Sequence, residues 1–118
     1  MDITKLNDEE LLKIVKPIAE HTENAWNEKS YEGFCKYLLK AAPGQLIPEE
    51  VFNHQLENEY DRYGLHTIAD LVAIHRNPDN VVVMWKVNFE KRPEPGLLMY
   101  CFIQYEDEVL IDGCIYQA

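Results

Sequence analysis

Few side chains in this sequence have the type and placement to do chemistry, and Asp70 comes first among them. With regular pairing among the strands described below, Asp70 is the only ionisable side chain on the sheet face directed at the helices, and His66 lies four residues earlier on the same side. Trp26, Tyr60, Tyr63, Trp85 and Met99 could wall an apolar cavity around the two. Burial disfavours the charged form of a carboxyl group, which suits a general acid or base near neutrality, so Asp70 would move a proton with His66 or a tyrosine assisting. The structural alternative puts Asp70 at the rim, bonded to a backbone N–H or a tyrosine, with His66 in a loop. His21 and His54 fall on helices and His75 at a strand end, with no i, i+4 pair and no ligand spacing to a cysteine. No metal site and no cofactor is indicated. Cys35, Cys101 and Cys114 show neither C-x-x-C spacing nor an even count, the pattern of core thiols in a reducing compartment. A nucleophilic Cys35 would need a base, and none is evident.

The elements that must position these groups begin with a helix. Asn7 precedes Asp8-Glu9-Glu10, a capping-box pattern, and Leu11, Val15, Ile18, Thr22 and Ala25-Trp26 recur at helical spacing to about Asn27. Pro17 predicts a kink or a break within it. Ser30 caps a second, shorter helix with Tyr31, Phe34, Cys35 and Leu38 on one face, stopped at Ala42-Pro43-Gly44. Pro48 with Glu49-Glu50 opens a third, lined by Phe52, Leu56, Tyr60 and Tyr63 and stopped by Gly64. From Leu65 the apolar period shortens to two, and four strands follow with turns expected at 77–80, at the Pro/Gly stretch 93–96, and near Glu106. The run Leu97–Ile103 is apolar at every position, so both faces of that strand should be covered.

Helices first and an antiparallel sheet last, in 118 residues, make one α+β domain spanning 1–118, with the helices in the concavity of a curved sheet. The segment AWNEKSYEGFCKYL, Ala25 to Leu38, and the closing Ile111 to Tyr116 resemble the nuclear transport factor two-like superfamily, which includes SnoaL-like and ketosteroid isomerase-like proteins. The resemblance covers nearly the whole chain and matches no subfamily's catalytic pattern. It implies a cystatin-like cone whose interior holds an apolar ligand, and in the enzymes of the group a carboxylate or histidine moves a proton there without a cofactor. It also implies pairing of two cones through the outer sheet face.

On that outer face the sequence places Met84, Lys86, Leu98, Tyr100, Phe102, Leu110 and Asp112. So apolar a surface needs a partner, and a homodimer is the expected one, with Lys86 and Asp112 as an ion pair across neighbouring strands or across the dimer axis. Eleven basic against 21 acidic residues, net −10, would repel nucleic acid and anionic membranes. The longest apolar run, seven residues, falls short of the roughly 20 that span a bilayer. With no basic segment before an apolar one at the N-terminus, a cytoplasmic location is expected. Three functions remain open: a dimeric module binding a small apolar ligand, a cofactor-free isomerase, dehydratase or hydrolase using Asp70, and a partner-binding protein with a filled core.

Overall fold

The structure is a computed structural model, and it describes residues 2–39 and 47–118. A 3₁₀ turn at Ile3–Lys5 leads into helix α1, Asp8–Asn27, followed by α2, Tyr31–Cys35, and α3, Glu49–Tyr63. Strands β1, His66–Arg76, β2, Asn80–Phe89, β3, Arg92–Tyr105, and β4, Glu108–Gln117, form one antiparallel sheet in the order β1-β2-β3-β4. The α+β layout and the four-stranded meander are those expected from the sequence.

The caps act where their residue types place them. Asn7 Oδ1 accepts the N–H of Glu10 at 2.8 Å, and Ser30 Oγ accepts that of Gly33 at 3.1 Å. Gly64 ends α3 at φ +72°, ψ −144°, a backbone conformation in which any side chain would be strained. Pro17 does not divide α1, which runs unbroken through it. The proline removes one N–H, while the buried stripe of Leu11, Val15, Ile18, Ala19 and Thr22 continues on both sides and holds the helix against the sheet. The second helix is shorter than expected and stops at Cys35, while the expected stop at 42–44 lies outside the described residues. Leu38 instead forms a parallel bridge to Ile111, with the Leu39 N–H donating to Ile111 O at 2.9 Å and the Ile111 N–H to Tyr37 O at 2.7 Å. That bridge covers part of the free edge of β4.

The sheet register corrects the assignment of faces. The turn after β2 is Glu90-Lys91 rather than the Pro/Gly stretch, which belongs to β3. There β3 has β2 alone beside it, because β4 ends with Gln117 opposite Leu97, and an unpaired edge accommodates Pro93 and Pro95. The two-residue turn sets Phe89 opposite Arg92, so inward positions pass from odd numbers on β2 to even numbers on β3. Leu98, Tyr100 and Phe102, expected on the outer face, are therefore fully buried against α1. Met99, expected inside, pairs with Met84 and Ile115 on the outer face. A bulge at Asp112 then reverses β4: Ile111 faces in as expected, but beyond the bulge Cys114 and Tyr116 face in and Ile115 faces out, 60 % exposed.

Two cores result. The larger packs α1 and Ile3 on Val81, Val83, Trp85, Val87, Phe89, Leu98, Tyr100, Phe102 and Ile111. Within it Tyr100 and Phe102 stack at 5.7 Å, and Trp85 meets Tyr100 edge-on at 6.2 Å. The smaller joins Trp26, Phe52 and Leu56 under α2 and α3.

Candidate functional site

The site lies where α1 ends and β1 begins. Glu23 lies on the apolar stripe of α1, one helical turn after Ala19 and before Trp26, and so is carried inward with its neighbours. It is 6 % exposed. Its Oε1 lies 2.9 Å from His66 Nδ1, and its Oε2 accepts a hydrogen bond from the Tyr100 hydroxyl. Each carboxylate oxygen thus has one buried partner, and the acid is compensated without a lysine or arginine.

His66, the first residue of β1, is held at its backbone as well as its ring. The Asn27 side chain donates from Nδ2 to His66 O and accepts the His66 N–H at Oδ1, both at 2.8 Å. The imidazole stacks on Trp26 with centroids 5.7 Å apart, and Phe89 and Tyr116 meet it edge-on at 5.1 Å each. Glu23 and Asn27 are four residues apart on one helix, so a single turn of α1 sets both the place and the ring orientation of His66. With Nδ1 facing Glu23, Nε2 makes no hydrogen bond among the described residues, and in the same wall the buried Trp26 Nε1–H also lacks a partner.

That nitrogen belongs to a side chain lining a cavity of about 460 Å³. Trp26, Phe34 and Leu98 supply apolar wall, and Glu23, Gln55, Glu59, Arg62, Tyr63, His66, Cys114 and Tyr116 the rest, with the end of β4 at Ile115 and Ala118 bordering it. The Tyr116 hydroxyl donates to Glu59 Oε2 at 3.0 Å, tying the end of β4 to α3. Burial, and then the neighbouring Glu23 charge, push the Tyr100 phenol well above its usual range. The same two causes raise the Cys114 thiol to about 12, so it stays protonated and unreactive. Burial and the hydrogen bond to Glu59 raise the Tyr116 phenol.

Two solved structures resemble this fold. The designed protein Rd1NTF2_05, in a multiply substituted form, superposes with a TM-score of 0.61 at 14% identity, over 87% of this chain and 96% of that one. The structure of Bd1075 from Bdellovibrio bacteriovorus does so at 0.52 and 16% identity, over 86% of this chain but 38% of its own. This chain has the nuclear transport factor two-like fold. No family model matches the sequence, and no curated protein matches it. The likeness is one of backbone path.

The cone brings together only some of the residues expected at its site. His66, Trp26 and Tyr63 line the cavity. Asp70 does not: bulges on either side of Leu71 break the regular alternation of β1, and Asp70 is exposed to solvent. Trp85, 1 % exposed, is sealed in the core deeper along the sheet, and Met99 is on the other face. Tyr60 points from α3 towards Lys29, whose ammonium sits 4.3 Å from its ring beside a separate shallow depression. Sequence reasoning missed Glu23, Asn27, Glu59, Tyr100 and Tyr116. For Glu23 a signal existed, since a carboxylate on an otherwise apolar helical stripe needs a buried partner. Among the described residues no three His, Cys, Asp or Glu side chains cluster as metal ligands, and no helix is long and apolar enough to cross a membrane.

On the outer face, Lys86 lies opposite Leu97 while Asp112 lies by Cys101 and Phe102, about 13 Å further along β3 and on its other side. The two cannot pair within one chain, contrary to the sequence expectation. Val82, Met84, Leu97, Met99, Ile103, Leu110 and Ile115 make up most of this face, where Leu98, Tyr100 and Phe102 had been expected.

Proposed function

We propose that this protein binds a small, partly apolar ligand in the cavity where α1 ends and β1 begins, with His66 as its polar contact. What carries this reading is a buried imidazole fixed by Glu23 and Asn27 whose second nitrogen is left to the cavity. Orienting a histidine from three points has a use only if the free nitrogen meets something. A volume of about 460 Å³ is in the range of small-molecule sites, roughly 300–1,000 Å³. The apolar outer face, with Met84 and Met99 at its middle, supports pairing of two copies back to back.

Native mass spectrometry of the purified protein tests both parts. The expected result is a dimer carrying a discrete small-molecule mass that is lost in Leu98→Trp, which fills the cavity. A bare protein whose His66 ring signals respond to no compound in a fragment screen would overturn the binding reading, and a monomer would overturn the pairing.

A second reading, proton transfer on the bound ligand without a cofactor, is favoured by the carboxylate–imidazole pair itself. Glu23 would orient His66 and stabilise the imidazolium formed when Nε2 takes a proton. Under this reading His66→Gln loses turnover far beyond any weakening of ligand binding, whereas Asp70→Asn changes neither; loss of turnover in the Asp70 variant would return the chemistry to the strand position expected from the sequence.

A further inference from the structure

Resting on the binding reading above, we infer that the ligand carries a hydrogen-bond acceptor, a carbonyl or hydroxyl oxygen, that takes the indole N–H of Trp26. Trp26 is 5 % exposed, and its buried Nε1–H has no hydrogen-bonding partner among the described residues. A donor buried unmet costs more than a typical hydrogen bond returns, so such groups are rare in folded chains and call for a partner. The side chains around the indole supply none. Phe34 lies 6.2 Å away, Phe52 meets it edge-on at 5.7 Å, and His66 stacks on it at 5.7 Å with its Nδ1 turned to Glu23. Ring faces accept an N–H only weakly. The indole also forms part of the cavity wall, and there an acceptor has room.

The requirement does not depend on the state of any other group at the site. Gln55 and Tyr63 can donate or accept, and His66 Nε2 does one or the other according to its protonation. Arg62 donates in every state, but it is exposed at the cavity mouth and keeps its water. The indole N–H donates and never accepts, at any pH. A carbonyl or hydroxyl oxygen has two lone pairs, so one satisfies Trp26 and the other is left for Gln55, Tyr63 or Arg62. A hydrocarbon of the same shape would fill the cavity and leave the indole unmet.

Acetophenone and ethylbenzene share a ring and a two-carbon chain and differ by one carbonyl oxygen, and both are smaller than the cavity of about 460 Å³. Against a wall with no free donor the hydrocarbon would bind more tightly, because the ketone oxygen loses its water without a replacement. Titration into nitrogen-15-labelled protein, read at the Trp26 indole and His66 ring signals, should reverse that order. Acetophenone is expected to bind at least about fivefold more tightly than ethylbenzene and to shift the indole signal. Trp26→Phe keeps a ring in the wall, removes the N–H, identifies the Trp26 signal against that of Trp85, and should return the preference to ethylbenzene. Ethylbenzene binding the parent as tightly as acetophenone, or a preference for acetophenone that survives in Trp26→Phe, would overturn the role of the indole while leaving the cavity as a binding site. If neither compound moves a signal of either residue, the binding reading falls with it.

Discussion

Glu23→Leu should lower the unfolding free energy by about 3–5 kcal/mol, the largest loss expected of any single cavity residue. The leucine would itself be at home on the α1 stripe, so the cost comes from what it leaves behind. His66 Nδ1–H and the Tyr100 hydroxyl both lose their acceptor among buried side chains. Each orphaned donor costs about 1–3 kcal/mol. Glu23→Gln keeps the shape and one accepting oxygen, and about 1–2 kcal/mol is expected. Adding Tyr100→Phe to Glu23→Leu removes one orphan and should recover part of the loss, a coupling that a double-mutant cycle in urea measures. A Glu23→Leu variant within about 1 kcal/mol of the parent would mean that the three groups do not act as a network.

Alkaline pH should unfold the protein earlier than its size suggests. Cys114, Tyr100 and Tyr116 are all held above their ordinary values by burial, with Glu23 adding to the first two and Glu59 to the third. Each is charged only when it loses its proton, so each raised value means that the unfolded chain releases the proton first. Their contribution is fully present below pH 9, the ordinary thiol value. It is lost as pH rises through 9 for Cys114 and through 10 for the tyrosines, towards the folded-state values. Every group in that window removes about 1.4 kcal/mol per pH unit, less for the half-buried Tyr116. Against a total of about 5–15 kcal/mol, two or three such groups suffice for unfolding before the buried phenols ionise in place. Urea midpoints from pH 8 upward should fall ever more steeply above 10, and Cys114→Ala should flatten the first unit of that fall. Tyrosinate absorbance from all seven tyrosines in a still-folded protein would contradict this.

The parts of the fold legible in the sequence were those with local causes. The Asn7 and Ser30 caps, the α1 stripe and the Gly64 stop each depend on residues within one or two turns, and each stands where its residue types require. Alternation along β2 likewise placed Val83, Trp85, Val87 and Phe89 inside. From these the cone could be recognised, and with it the expectation of a cavity between helices and sheet.

The inward residues of β3 and β4 were decided only by the tertiary structure. The side-chain period of a strand is two, so one residue in the turn at Glu90-Lys91, or one extra at Asp112, exchanges every inward position beyond it. Composition cannot prevent the error, because Leu97–Ile103 is apolar on both faces and either set would serve as core. The chemistry was decided in the same way. Glu23, His66 and Tyr100 stand 43 and 77 positions from Glu23 to its two partners, with no spacing rule to join them. His66 by itself was visible, but its tie to a helix carboxylate came only when α1 settled into the concave face, where burying Glu23 required partners and the register supplied them.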